Sequence, residues 1–194
     1  MNIGIYIYDN AEVLDFSGPF EVFTTAARVA GLDWQVSLIS EHGGLVTARG
    51  NYLVQSHYSL SAHPPLDVLI VAGGVHNQEL TKPDVLAWIR QMSEQATWAT
   101  SVCTGAFILA KAGVLDGLTV TTHWEDIPAL TEHFPALNVV SNQRWVEQGK
   151  VITSAGISAG IDMSLHLVSR LESVSLAERT ARQMEYEWQG NKQG

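Results

Sequence analysis

Residues 97–113 read Thr97-Trp98-Ala99-Thr100-Ser101-Val102-Cys103-Thr104-Gly105-Ala106-Phe107-Ile108-Leu109-Ala110-Lys111-Ala112-Gly113. Thr97 to Val102 is a short run rich in strand formers, and its length suits a buried strand. From Phe107 to Ala112 the chain turns helical, and Gly113 supplies the stop. Cys103 falls in the turn between them. Upstream, Asp67-Val68-Leu69-Ile70-Val71-Ala72 is a continuous apolar run, as expected of a parallel strand covered on both faces. It ends in Gly73-Gly74, and a helix over Pro83 to Glu94 connects it to the strand before Cys103. Strand, helix and strand in succession predict a right-handed crossover and a parallel sheet.

The flanks extend the pattern. Ile3 to Tyr8 reads as a strand, Asp9 to Ser17 as a loop, and Gly18 to Ala30 as a helix with Pro19 in its first turn and Gly31 beyond its end. Trp34 to Ile39 is a second strand. Val46 to Gln55 holds one or two short strands around Gly50-Asn51. Downstream come a short strand at Leu118 to Thr121, a helix over Glu125 to Phe134 and a weak strand at Asn138 to Ser141. Arg144 to Glu147 and Val151 to Ser154 form a hairpin about Gln148-Gly149-Lys150. Two helices follow, Ser158 to Leu171 and Leu176 to Trp188, and Gly190 to Gly194 should fray. The prediction is one α/β domain over residues 1–194, a three-layer sandwich with a mostly parallel central sheet and a tail frayed after about residue 189.

Composition narrows the function. The 194 residues are 46% hydrophobic and only 16% charged, against a typical ~25% charged. The net charge of −9 repels nucleic acid and anionic lipid, so neither is an expected partner. Cys103 is the one cysteine, which rules out an internal disulfide. The N-terminal strand lacks the basic start and cleavage site of a signal peptide. No apolar run reaches the ~18 residues of a membrane span. The expectation is a soluble, cytoplasmic globular domain, and the charge says little about a small neutral substrate.

Ligands of such folds bind outside the carboxyl ends of the strands. Cys103 stands there, flanked by the small residues Ser101 and Gly105, in the strand–turn–helix pattern of a nucleophile elbow. The amides of the following helix are expected to favour its thiolate and to hold developing negative charge. His123 follows a short strand and either completes a Cys–His pair or supports the site structurally. His76 follows Gly74 closely, and Trp124 is placed to wall a pocket. The histidines at 42, 57, 63, 76, 123, 133 and 166 show no metal-ligand spacing, and Gly73-Gly74 lacks the full dinucleotide fingerprint. Glu21 reads as a solvated or helix-dipole carboxylate, and Asp162 as a cap or turn partner near the Ser158 helix.

Several segments together resemble the DJ-1/PfpI superfamily. They are Leu14-Asp15-Phe16-Ser17-Gly18-Pro19-Phe20-Glu21-Val22-Phe23, Val71-Ala72-Gly73-Gly74, Ser101-Val102-Cys103-Thr104-Gly105-Ala106, residues 109–117, Thr119-Val120-Thr121-Thr122-His123-Trp124, and Gly156-Ile157-Ser158-Ala159-Gly160-Ile161-Asp162. The pattern is most similar to the isocyanide hydratase branch and to the related domains of AraC-type regulators. The resemblance implies a flavodoxin-like fold, a homodimer, and cysteine chemistry without a cofactor or metal. It assigns the nucleophile to Cys103 and the partner acid to Asp15, with the backbone amides of Gly74 and Thr104 as polarising donors. It also places Gly73 and Ile157 at the pocket. In the protease-like branch a histidine directly follows the nucleophile. Here Thr104 stands in that place, which argues against a peptidase.

The implied reaction is the addition of water to a small substrate such as an isocyanide, giving an N-substituted formamide. The alternatives are a ligand- or oxidation-sensing domain and a glyoxalase-like enzyme. The regulators continue into a helix-turn-helix module, whereas the last predicted helix here lies close to residue 194, so the enzyme is the expectation.

Overall fold

Strand β1 (Asn2–Tyr6) sits at the centre of the molecule, hydrogen-bonded in parallel to β2 (Gln35–Ser40) on one side and β6 (Val68–Val71) on the other. The computed structural model describes residues 1–191. Between β1 and β2 runs α1 (Val13–Ala30). After β2 come β3 (Gly44–Ala48) and β4 (Tyr52–Ser56), an antiparallel hairpin outside the main sheet, and then β5 (Tyr58–Ser59). Helix α2 (Pro83–Gln95) leads to β7 (Trp98–Val102), and α3 (Gly105–Lys111) follows. Next are β8 (Thr119–Val120), α4 (Ile127–His133) and β9 (Asn138–Val139), the two strands forming a small parallel pair. The chain ends with β10 (Trp145–Gln148), β11 (Val151–Ser154), α5 (Ala159–Leu171) and α6 (Val174–Gln183).

Among the described residues the main sheet has the order β10-β11-β7-β6-β1-β2-β5, and only β10 runs antiparallel to its neighbour. The crossover from β1 to β2 moves one way across the sheet and that from β6 to β7 the other. Right-handed crossovers therefore place α1 and α2 on opposite faces. Helices α5 and α6 pack on α1, and α3 packs on α2, which completes a flavodoxin-like three-layer arrangement. All four residues of β6 are buried, as their unbroken apolar run requires. The strand order reverses between β1 and β6, so the carboxyl ends of these strands and of β7 frame the expected binding crevice.

Several element boundaries differ from the sequence reading. Helix α1 starts at Val13 rather than Gly18, so Asp15 stands in its first turn and Pro19 lies in its interior. Pro19 forfeits one helical hydrogen bond. Tertiary packing overrides that loss: a Cβ on Gly18 would come within 2.9 Å of Ile161 Cγ1 on α5, so the Gly18-Pro19 stretch is where the two helices close together. Helix α3 begins at Gly105, two residues before its first large apolar side chain. The region expected as one helix over 125–134 is a 3₁₀ turn (Trp124–Asp126) followed by α4.

The last helix stops at Gln183, short of Trp188. The chain beyond it is held by buried Asp162, which accepts hydrogen bonds from Tyr186 Oη at 2.9 Å and the Gln189 amide at 2.8 Å and pairs with Arg144. Asp162 thus ties the C-terminal strap to α5 instead of capping the helix. Asn191 accepts from the Trp145 amide. The rest of the predicted fraying falls on 192–194, outside the described residues.

Candidate active site

Val102 ends β7, Gly105 begins α3, and the two intervening residues must reverse the chain. Cys103 does so with φ +55°, in the left-handed region that disfavours an L side chain. The turn can be this tight because Gly105 has no Cβ: one added there would overlap the Val71 carbonyl of β6. The neighbouring turn, between β11 and α5, carries the same strain. Ile157, a β-branched residue, also has φ +55°. Among the described residues the other non-glycine positions with positive φ are Asn10, Asn51, Asn142 and Glu185. The asparagines tolerate this conformation and need no special account. Cys103 and Ile157 face one cleft.

Asp15 is fully buried behind Cys103. Its Oδ2 accepts the Gly73 amide at 3.0 Å, while Oδ1 is buried without a hydrogen-bond partner. A Cβ on Gly73 would lie 2.6 Å from Thr104 N and 2.7 Å from Asp15 Oδ2, so this position admits only glycine. The Gly74 amide, expected to face a ligand, donates instead to Thr104 Oγ1 at 2.8 Å, and that hydroxyl returns a bond to the Gly74 carbonyl at 2.9 Å. Gly74 and Thr104 therefore clamp the β6 and β7 turns together. The Thr104 and Ile157 amides lie close enough to the sulfur to favour its anion, and the Ile157 amide favours the Asp15 carboxylate as well.

Burial dominates the electrostatics. It pushes the Asp15 carboxyl up to about 7, against the opposing pull of the Gly73 amide. It also drives the Cys103 thiol well above the ordinary thiol range, and the nearby Asp15 charge adds to the rise. The backbone amides only partly offset this. Burial thus opposes the thiolate that the helix amides favour: α3 has seven residues, and desolvation is the larger influence on the thiol. Burial therefore favours the protonated form of both groups, and Asp15, raised to about 7, is the one placed to exchange a proton near neutral pH.

The cleft above Cys103 has a volume of about 440 Å³. Of the residues singled out in the sequence, Cys103, Thr104, Gly74, His76, His123 and Ile157 line it. Asp15 and Gly73 lie behind its floor. Trp124 does not line it, being 68% exposed beside the mouth with its ring 5.8 Å from that of His123. His123 packs edge-on over Gly156, where any side chain would strike the imidazole, and its Nδ1 lies 3.4 Å from Asp126. His76 stacks on Phe107, and burial lowers its pKa, so the imidazole is neutral at pH 7. Glu21 is remote, exposed on α1, and accepts from Thr25.

Sequence reading missed Glu12 and Arg49, which form an ion pair of 3.2 Å at the cleft mouth. Glu12 belongs to the loop after β1, a location that alone marked it for inspection. Arg49 arrives from the β3–β4 hairpin, whose place over the cleft no local pattern reveals. A depression of similar size, about 460 Å³, opens over the carboxyl ends of β1 and β2 and contains no cysteine. Among the described residues no group of three or more His, Cys, Asp or Glu side chains is placed to hold a metal ion. Nor is any helix there long and apolar enough to cross a membrane.

The DJ-1/PfpI family model matches residues 1–170. The chain is 33% identical to an isonitrile hydratase of Pseudomonas putida over 188 residues, covering 96% of this chain and 78% of that protein. It is 31% identical to the HTH-type transcriptional regulator CdhR of Pseudomonas aeruginosa, covering 88% of this chain but only 51% of the regulator. In three dimensions it is similar to a ThiJ/PfpI family protein from Pseudomonas syringae, with a TM-score of 0.87 at 26% identity, covering 97% of this chain and 76% of the other.

Proposed function

Because the chain belongs to the DJ-1/PfpI family, we propose that it is a cysteine-dependent hydratase, working without a cofactor, that adds water to a small isocyanide. The observation that carries this reading is the strained Cys103 turn with a buried, half-titrated carboxyl beside it. The similarity to an isonitrile hydratase supports it.

In the proposed reaction, Asp15 takes the thiol proton as the sulfur attacks the terminal isocyanide carbon. The same proton passes from Asp15 to that carbon, giving a thioimidate, R–N=CH–S–Cys. Water then adds across the C=N bond, one hydrogen going to nitrogen and the hydroxyl to carbon. The C–S bond breaks, the hydroxyl proton returns to sulfur through Asp15, and R–NH–CHO leaves. Splitting the hydration into two additions gives each a lower barrier. A carboxyl with a pKa near 7 serves equally as base and acid at neutral pH. The Thr104 and Ile157 amides stabilise sulfur as it becomes anionic. We place the enzyme in the cytoplasm as a homodimer, which light scattering of the purified protein tests.

The deciding experiment follows formamide production from a small isocyanide by the wild type and by Cys103→Ala. Turnover lost in the variant supports the reading, and absence of turnover by folded, reduced wild type overturns it. A second reading, a domain that senses a small ligand in the same cleft, is favoured by the regulators among the relatives. Oxidation sensing is the weaker form of it, because Cys103 is only 7% exposed and its thiol is held protonated.

A further inference from the structure

The mouth of the Cys103 cleft is charged, and the charges do not cancel. Glu12 and Arg49 neutralise each other across 3.2 Å. Glu125 and Asp126 also line the cleft, and among the described residues their ion-pair partner is His123, with Nδ1 at 4.0 Å from Glu125 and 3.4 Å from Asp126. Arg49 is the only Lys or Arg among the described lining residues, and it is already paired. His76, the other lining imidazole, is neutral. The lining thus keeps a net negative charge even when His123 is protonated. The carboxylates stand on the 3₁₀ turn that leads into α4, beside exposed Trp124, whose indole face adds attraction for a cation. Glu125 is 64% exposed and Asp126 34% exposed, so both carboxylates are open to a ligand at the mouth.

We infer that the cleft selects small substrates carrying a positive charge, an ammonium or quaternary ammonium group seated against Glu125 and Asp126 while the reactive end reaches Cys103. This rests on the hydratase reading only for what the reactive end is. The charge preference belongs to the cleft itself. A lining of net negative charge raises local concentrations and on-rates of cations over anions, here at the lower end of the ~10–10³ range that single-sign clefts reach at low salt, because Arg49 and His123 also line it.

Cys103 is the chain's one cysteine, so thiol reagents report on this cleft alone. The test measures Cys103 modification at pH 8 and low salt by trimethylammonioethyl, sulfonatoethyl and methyl methanethiosulfonate, each rate divided by that with 2-mercaptoethanol. The expected cation-to-anion ratio is at least ~10. It should fall toward one in Glu125→Gln/Asp126→Asn and stand between in Glu125→Gln, which keeps the Asp126–His123 contact. Removing the Asp126 charge also lowers the thiol pKa and speeds every reagent, an effect that cancels in the ratio. Glu172→Gln/Glu178→Gln removes the same charge from exposed sites away from the cleft lining and should leave the ratio intact. A wild-type ratio near one, or one unchanged in the Glu125/Asp126 variant, overturns the inference.

A second arm compares turnover of two isocyanides of matched shape, one ending in trimethylammonium and one in tert-butyl, with the advantage of the cation expected in KM. Charge-selective modification with neither isocyanide hydrated would overturn the hydratase reading and leave the selectivity standing. Equal hydration of both with a ratio near one would do the reverse.

Discussion

Asp15→Asn should change how the stability of the fold depends on pH. The carboxyl is fully buried, and its pKa is pushed up to about 7 by burial, from ~3.9 in an unfolded chain. Between those values the folded protein holds a proton that the unfolded chain has lost. Stability therefore falls as pH rises from about 4 to about 7, and the loss is complete above that. At ~1.4 kcal/mol per pH unit, ionisable Asp15 opposes folding by about 1.5 kcal/mol at pH 5 and about 4 kcal/mol at pH 8. Asparagine opposes it by a constant amount, including ~1–3 kcal/mol for an amide left without a partner where Oδ1 now sits. Urea unfolding of both proteins at both pH values isolates the difference. The variant should gain about 2.5 kcal/mol on the wild type between pH 5 and pH 8, and the constant term drops out. Parallel pH profiles, with a swing below about 0.5 kcal/mol, would refute a raised carboxyl pKa. The same variant should lose ~10²–10⁴-fold in hydration rate, since no group remains to move the thiol proton.

Four further outcomes follow from individual contacts. Alkylation of Cys103 should be slow at pH 7 and still accelerating at pH 9, because burial and Asp15 hold the thiol protonated; a plateau below pH 7 would contradict this. Ile157→Gly should be more stable than Ile157→Ala by about 1 kcal/mol in thermal unfolding, because only glycine takes φ +55° without strain; equal melting temperatures would remove strain from the account. Arg144→Met leaves the buried Asp162 carboxylate without its cation and should cost about 3 kcal/mol, read as a melting temperature lower by ~10 °C. Gly105→Ala should destabilise by about 2–3 kcal/mol or prevent folding, because its Cβ would strike the Val71 carbonyl, and an unchanged melting temperature would show that this approach can relax.

What could be read from the sequence, and what could not, follows from the range of the interactions. The parallel sheet was legible because β6 is an unbroken apolar run and β7 a short run rich in strand formers, both local in character, and the turn at Cys103 was legible because small residues flank it. The start of α1 was misread because Pro19 signals locally, while the force that keeps it inside a helix is the distant packing of Gly18 on Ile161. The balance of forces on the thiol was hidden for a related reason. Helix amides favouring a thiolate are visible in the chain order, but the burial that outweighs them comes from Asp15 and the turns after β6 and β11 closing around the sulfur.

Ile157 is the clearest case of information carried only by the fold. Nothing in Gly156-Ile157-Ser158 predicts a β-branched residue in the left-handed region. The position becomes intelligible when His123 is seen packed on Gly156 and the Ile157 amide directed at Cys103. Strain of this kind costs on the order of 1–3 kcal/mol at each residue and persists only where the surroundings over-determine the backbone. Here two of the three described residues other than asparagine and glycine in that conformation line the same cleft, on turns from different strands, and the amides that favour the sulfur's anion belong to these turns: Thr104, which follows Cys103, and Ile157 itself. Relaxing either turn would move an amide away from the sulfur. The strain is therefore the local cost of two donors fixed before any ligand arrives, and the Ile157→Gly variant separates the roles: it should gain stability over Ile157→Ala while losing some of the fixed geometry on which the reaction at Cys103 depends.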